Sequence, residues 1–491
     1  MADMDAGTHS TAQAPKQRAV ALSGPLCELA RELLELPPAA APADLPAPDQ
    51  DWAVAPLPAG HARRQIELLT AADARAIDTA LAAEPDAVLV DADALRYADA
   101  GQLEAAFGAL HAARQAHPEA PLGLRLRPAT LLQPVQQADM PALPAGLVDL
   151  LLALAAPAPA QATITPLPLQ LELSGVRDGQ QAAQWAQWLA HCEQALDLPR
   201  GALRLSLRVD TLALLGALDE ALWALRERVV ALRLDSAAVL GDLIAGRPPA
   251  QSPLQADRAQ ALDLAQPWAD ALSKRVCVQA HRRGVLSLSG LLPALPVRDD
   301  AQAQAEIEAE LAEGVRALLR NGHDGVTLAH SHFVPAAREA CAEMMPTANQ
   351  SERPLDWAID PALIAAGPTG EITDGGLRHN VGVAIQALEA ALRGQGRLPL
   401  YNLMEEPASA SLCWLQVWLW VQHPEARLAD GRAIDADLFE GVLREELDNI
   451  RMEREPEAFA RGHYEHAAAL LQRLCLGSAV PTGPQDLEAE R

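Results

Sequence analysis

From Arg64 onward the chain alternates short apolar runs with longer segments whose apolar positions return every three or four residues. The short runs predict strands over 65–69, 87–90, 122–127, 167–173, 203–209, 229–234, 285–288 and 326–329. Strands of this number, separated by amphipathic helices across about 270 residues, fit the count and length of a (β/α)8 TIM barrel, an α/β fold. A doubly wound sheet is the alternative, and the strand count favours the barrel. A barrel places its chemistry at the C-terminal ends of its strands. Those ends carry Asp91 and Asp93, Arg127, Glu172 and Ser174, Asp210, Asp235, Ser289 and His330.

The flanks read differently. The first residues, to about residue 20, are polar and predict disorder. A stripe of Leu26, Leu29, Leu33 and Leu34 predicts a short helix over 22–36, ended by Pro37 and Pro38, and a Pro/Ala-rich linker over 37–48 follows. Beyond residue 352 the strand pattern stops. Thr373 and Asp374 offer caps for a helix with Leu377, Val381, Ile385, Leu388 and Leu392 on one face, stopped by Gly394 and Gly396. Trp414, Val417, Trp418 and Val421 form a second stripe. Asp437 with Glu440 resembles a capping box for a third helix, and Tyr464, Ala468, Leu471 and Cys475 mark a last one. The expected organisation is an N-terminal tail, helical clasp and linker over 1–62, the barrel over 63–351, and an all-helical plug domain over 352–491 that closes the barrel mouth.

Composition narrows the class. A hydrophobic fraction of 50% over 491 residues sustains a large core. The net charge of −26 has no offsetting basic stretch, which argues against nucleic acid or an anionic membrane as partner. The apolar run 147–156 is too short to span a bilayer and is followed by Pro157 and Pro159. The six cysteines are scattered without zinc-site spacing and read as reduced thiols. Residues 1–17 lack the apolar core of a signal peptide and the last residues carry no peroxisomal tripeptide, so a cytoplasmic protein is expected.

The chemistry concentrates in 398–406, Leu-Pro-Leu-Tyr-Asn-Leu-Met-Glu-Glu, where an apolar run ends in two carboxylates and Pro407. That pattern sets Glu405 and Glu406 on a turn between two helices, a suitable place for a proton acceptor. The whole stretch 375–410, GGLRHNVGVAIQALEAALRGQGRLPLYNLMEEPASA, closely resembles the C-terminal signature of the malate synthase family, in its shorter A-type form. In that family the Tyr-Asn-Leu-Met-Glu motif is followed by an Asp that serves as catalytic base; that position here is Glu406. The resemblance extends through NGHDGVTLAH (321–330), LPRGALRLSLRVDTL (198–212), LGLRLRPATLL (122–132) and the stretch 51–81.

The resemblance implies condensation of acetyl-CoA with glyoxylate to malate and CoA, the acyltransferase step of the glyoxylate cycle, with Mg2+ as cofactor and these small molecules as partners. The chain would act as a monomer or small homo-oligomer. It implies Arg127 as the arginine that holds the enolate, Asp210 as first Mg2+ ligand, and Asp91, Asp93 and His330 at the substrate and CoA mouth. Two departures stand out. The second ligand position falls on Ala238, which leaves Asp235, and more distantly Asp242, as substitutes; and the family's Ala-His-Pro-Gly turn reads Ala329-His330-Ser331-His332. His330 and His332 are not assigned as ligands. The alternatives are a catalytically impaired homologue that binds CoA or a metabolite, and a related synthase or lyase using another acyl-CoA or 2-oxo acid.

Overall fold

The computed structural model describes residues 19–47, 50–137, 139–155, 170–481 and 483. The expected disorder over 1–18, the end of the linker at Pro48 and the first residues of the fourth predicted strand, 167–169, lie outside them.

The strands that the period-two pattern predicts are β1 (Ile66–Thr70), β2 (Ala87–Asp91), β3 (Leu122–Arg125), β4 (Gln170–Leu173), β5 (Arg204–Val209), β6 (Val229–Leu234), β7 (Leu286–Leu292) and β8 (Gly325–Leu328). They pair in parallel with their sequence neighbours, and β1 pairs with β8 to close a barrel. The doubly wound sheet is thereby excluded. Two ends differ from expectation. β3 stops at Arg125, two residues early, and β7 runs on to Leu292.

Outward-facing Leu205, Leu207 and Val209 of β5 and Leu232 and Leu234 of β6 are buried in one continuous core beneath the surrounding helices. Most TIM barrels fill the interior with branched apolar side chains. Here charged groups occupy it. Arg233 on β6 donates to Glu67 on β1, to Glu172 on β4 and to Thr327 on β8. Because β6 is a neighbour of none of those three, Arg233 reaches across the inside of the barrel. Arg64, just before β1, pairs with Glu67 and donates to Ser206 at 3.0 Å. Such pairs contribute little net stability over apolar packing, but removing one partner leaves a buried charge and costs about 3–5 kcal/mol.

The C-terminal region folds as helices Asp374–Leu392, Pro407–Gln422, Ala436–Glu453 and Tyr464–Leu476. The third begins earlier than expected, because Asp435, and not Asp437, accepts from the Leu438 N–H at 2.9 Å. Helix Pro407–Gln422 packs on the barrel helix Ser236–Ala245, with Leu415 against Gly241. On the far side the N-terminal helix Gly24–Glu35 grips helix Gly179–Ala195, where Trp188 donates to the Leu33 carbonyl at 3.3 Å.

Candidate active site

The carboxylate stretch is a hairpin and not a plain turn. Strands Leu398–Leu400 and Leu403–Glu405 pair antiparallel around Tyr401 and Asn402. Both turn residues have positive φ, 51° and 60°, the geometry of the two-residue turn that matches strand twist. The hairpin is stitched to the barrel mouth. Met404 N–H donates to the Pro293 carbonyl at 2.7 Å, and Arg397 donates to the Leu69 carbonyl at 3.0 Å. Gly396 N–H donates to the Ala94 carbonyl at 2.8 Å. Any side chain at Gly396 would start 2.8 Å from that same carbonyl oxygen, so only glycine permits the approach.

Glu405 ends the hairpin and Glu406 caps the helix that Pro407 starts. The two acids therefore diverge. Glu405 is held by both Nη atoms of Arg258, at 2.6 and 2.8 Å, and accepts from Ser409 at 2.6 Å. Burial opposes its charge, but the Arg258 guanidinium overrides it and holds the pKa below the usual carboxylate range. Glu406 instead points to the barrel, where Arg125 Nη1 donates to its Oε1 at 2.9 Å. Arg125 donates through Nε to Glu172 Oε1 at 2.7 Å. Burial works against the Glu172 charge, yet Arg233 and Arg125 bring its pKa down to about 2. A continuous ladder thus runs up the barrel axis from Glu67 through Arg233, Glu172 and Arg125 to Glu406.

Glu406, Arg125, Arg208, Arg233 and Asp235 form the polar end of a cavity of about 610 Å³, whose walls include Leu262, Leu264, Leu292, Pro293 and Met404. Beside it Asp91 is fully buried; its Oδ1 accepts from the N–H groups of Asp93 and Ala94, and its Oδ2 has no partner. Burial raises the Asp91 pKa to about 6.

Arg127 does not reach this cavity. Its guanidinium lies against Asp149, with Nη2 at 2.7 Å and Nε at 3.0 Å from Oδ1, and its Nη1 donates to Gln133 at 2.7 Å. The physical reason is Asp149, a fully buried acid on the otherwise apolar helix Ala145–Leu154, which claims the nearest cation. The arginine at Glu406 is Arg125, two residues earlier, whose register opposite Asp91 and Glu172 sets it over the axis. Asp93 also stands at the mouth but is spent on Arg96 at 2.6 Å and Arg208 at 3.4 Å. His330 caps a short turn by accepting the His332 N–H at 3.1 Å and is not among the residues around the 610 Å³ cavity.

The acids assigned to Mg2+ have other partners. Asp235 caps helix Ser236–Ala245 by accepting the Ala238 N–H at 3.0 Å, and its second oxygen takes the Arg208 guanidinium. Asp210 accepts the Gly175 N–H at 2.8 Å, while its Oδ1 is buried without a partner. Burial pushes Asp210 up to about 7. It lines a separate cavity of about 260 Å³ together with Ala238 and Asp242. Asp242 is engaged by Arg177 at 3.0 Å and by the Leu212 N–H at 2.9 Å. Arg208 lines both cavities. Among the described residues no group of three or more His, Cys, Asp or Glu side chains is arranged to hold an ion. The donor set therefore does not fit Mg2+.

A closed parallel barrel followed by a helical C-terminal region defines an α/β-barrel protein, here with a buried carboxylate–guanidinium pair at its mouth. Residues 124–358 match the malate synthase TIM barrel domain and residues 371–481 the malate synthase C-terminal domain. The chain belongs to the malate synthase family. It is 32% identical over 295 residues to a malate synthase of Myxococcus xanthus, covering 60% of this chain and 54% of that one. To malate synthase A of Escherichia coli it is 29% identical over 306 residues, covering 62% and 57%. The matched region thus spans little more than half the length of these relatives. A solved malate synthase of Haloferax volcanii superposes with a TM-score of 0.46 at 13% identity, covering 87% of this chain and 99% of that one.

Proposed function

We propose that this chain is an acyltransferase that condenses acetyl-CoA with glyoxylate, releasing malate and CoA. The observation that carries the reading is the meeting of Glu406 and Arg125 at 2.9 Å on the wall of a cavity with an apolar side, in a chain of this family. A thioester methyl is a weak acid and needs a positioned base. Glu406 takes that proton, and the electron pair moves onto the thioester oxygen. Arg125 supplies the positive charge that holds the enolate oxygen there. The enolate carbon then attacks the aldehyde carbon of glyoxylate, whose oxygen becomes an alkoxide and is protonated. Water finally cleaves the thioester, giving the free carboxylate of malate and the CoA thiol.

The residue is well placed for this role because Arg125 holds its carboxylate and its backbone N–H donates to Ser409 Oγ at 3.0 Å at the helix start. Glu405 is unsuited, being saturated by Arg258 and Ser409. The apolar wall formed by Leu262, Leu264, Leu292 and Met404 suits the thioester arm better than bulk water would. A cytoplasmic setting agrees with the cysteines, all of which are buried free thiols. No helix among the described residues is long and apolar enough to cross a membrane.

The test is thiol release from acetyl-CoA with and without glyoxylate, comparing wild type with Glu406→Gln. Glyoxylate-dependent release that Glu406→Gln abolishes supports the reading. Release that is independent of glyoxylate, or that survives in Glu406→Gln, removes it.

A further inference from the structure

At the mouth the Arg208 guanidinium reaches two carboxylates, Asp93 and Asp235. Arg208 projects from the inner face of β5, opposite Arg233 in the ladder with β6. It donates through Nη2 to Asp235, and its Nη1 lies 3.4 Å from Asp93. Its third nitrogen, Nε–H, is buried and has no hydrogen-bond partner. The residue is only 4% exposed, so water does not readily satisfy that donor. A desolvated charged group with an unmet donor is unfavourable until an acceptor arrives. Arg208 also lines the 610 Å³ cavity next to Arg125 and Glu406. The fixed fork of a guanidinium matches a carboxylate and its neighbouring oxygen.

We infer that Arg208 does the work of the divalent cation in this chain, binding the carboxylate of a 2-oxo acid through the guanidinium that lines the cavity and drawing electron density from the adjacent oxo group. This inference rests on the acceptor class in the proposed function, and it makes acceptor binding independent of metal. The charge balance agrees with it. Asp93 and Asp235, left unpaired, would repel an anionic acceptor; Arg96 and Arg208 together offset the two charges, and Arg208 lines both cavities. A small ion at the same point would have to displace the guanidinium from Asp235, and among the described residues no three acidic or imidazole side chains are arranged to hold it.

Two measurements on the full chain test this. In the first, Mn2+ is titrated into wild-type protein and followed by the amplitude of its free-ion EPR signal. In the second, oxalate, a dianion that presents two adjacent carboxylate oxygens as a 2-oxo acid does, is titrated calorimetrically in EDTA and again in MgCl2. The expected result is that Mn2+ stays free, that oxalate binds equally within about twofold in both buffers, and that Arg208→Gln weakens it by about tenfold or more. Arg208→Lys, which keeps the charge for Asp93 and Asp235, should fold even where Arg208→Gln does not, and should still weaken oxalate because the fork is lost. Stoichiometric Mn2+ binding, or oxalate binding that Mg2+ tightens by about tenfold or more, overturns the inference while leaving the proposed function standing. Metal-independent oxalate binding without any glyoxylate-dependent thiol release upholds the inference about Arg208 and removes the condensation reaction. Oxalate bound in neither buffer overturns the inference and the 2-oxo acid acceptor together.

Discussion

Arg125 Nη1 lies 2.9 Å from Glu406 Oε1, joining the third barrel strand to a carboxylate 281 residues later in the chain. That pair couples the two halves of the fold at the point where the chemistry is assigned. It also makes the two residues separable by experiment. Glu406→Gln keeps the size and a hydrogen-bond acceptor for Arg125 but removes the base, so kcat for thiol release should fall by about a hundredfold to ten-thousandfold with the KM for glyoxylate little changed. Arg125→Lys keeps the charge but loses the fork that spans Glu172 and Glu406, and should lower kcat by about tenfold to a hundredfold. A Glu406→Gln enzyme with wild-type kcat would take the base role away from this residue.

Arg127 and Asp149 behave as a structural unit. Arg127→Ala leaves the fully buried Asp149 without its counter-ion and should destabilise the fold by about 3–5 kcal/mol in urea unfolding. The double variant Arg127→Met with Asp149→Leu removes both charges and should recover most of that loss. Its kcat should stay near wild type, since neither side chain lines the 610 Å³ cavity. A double variant that is stable but inactive would return Arg127 to the catalytic machinery.

The barrel and the helical cap were legible because the period-two and helical patterns lie along contiguous sequence. The carboxylate proposed as base was legible too, since Glu406 sits in one unbroken motif between the hairpin and the helix that Pro407 starts. The arginines were harder. Arg125 and Arg127 share a strand face by alternation, and what separates them is Asp149, a buried acid 22 residues from Arg127, whose claim on a cation no local pattern reveals. Arg208 and Arg233 alternate inward with Ser206 and could have been flagged by period two alone, as charges on the inner face of predicted strands. The different partners of Asp210 and Asp235 are a tertiary fact, Asp235 taking the Arg208 guanidinium and Asp210 the Gly175 N–H.

Gly396 offers a check on positioning that replaces no charged group. An added methyl at this residue meets the Ala94 carbonyl oxygen at 2.8 Å and its carbon at 3.2 Å, both backbone atoms that cannot rotate aside. The hairpin must then lift from the mouth, carrying Glu406 with it. Displacement of about 1 Å costs on the order of a hundredfold in rate, so Gly396→Ala should lose most of its kcat while its circular dichroism spectrum stays that of wild type. Undiminished kcat would mean that the hairpin is not what holds the carboxylate.

The pH dependence of stability should carry the mark of His323. This imidazole is fully buried at the start of β8, between Ser273 Oγ and Ser287 Oγ, each 3.0 Å from a ring nitrogen. Burial, helped by the nearby His281, pulls its pKa from 6.5 down to about 3. The depressed value means that the folded state holds the ring neutral while the unfolded chain takes up a proton below pH 6.5. The associated stability is therefore complete above 6.5 and is lost as pH falls toward 3, at about 1.4 kcal/mol per pH unit. Between pH 6.5 and 5 this one group should remove about 2 kcal/mol. His323→Gln cannot titrate, so it should start less stable at neutral pH because the ring's packing is lost, yet show a flatter decline on acidification. Urea unfolding of both proteins across that range reads the difference directly, and equal slopes would assign the acid sensitivity to other groups.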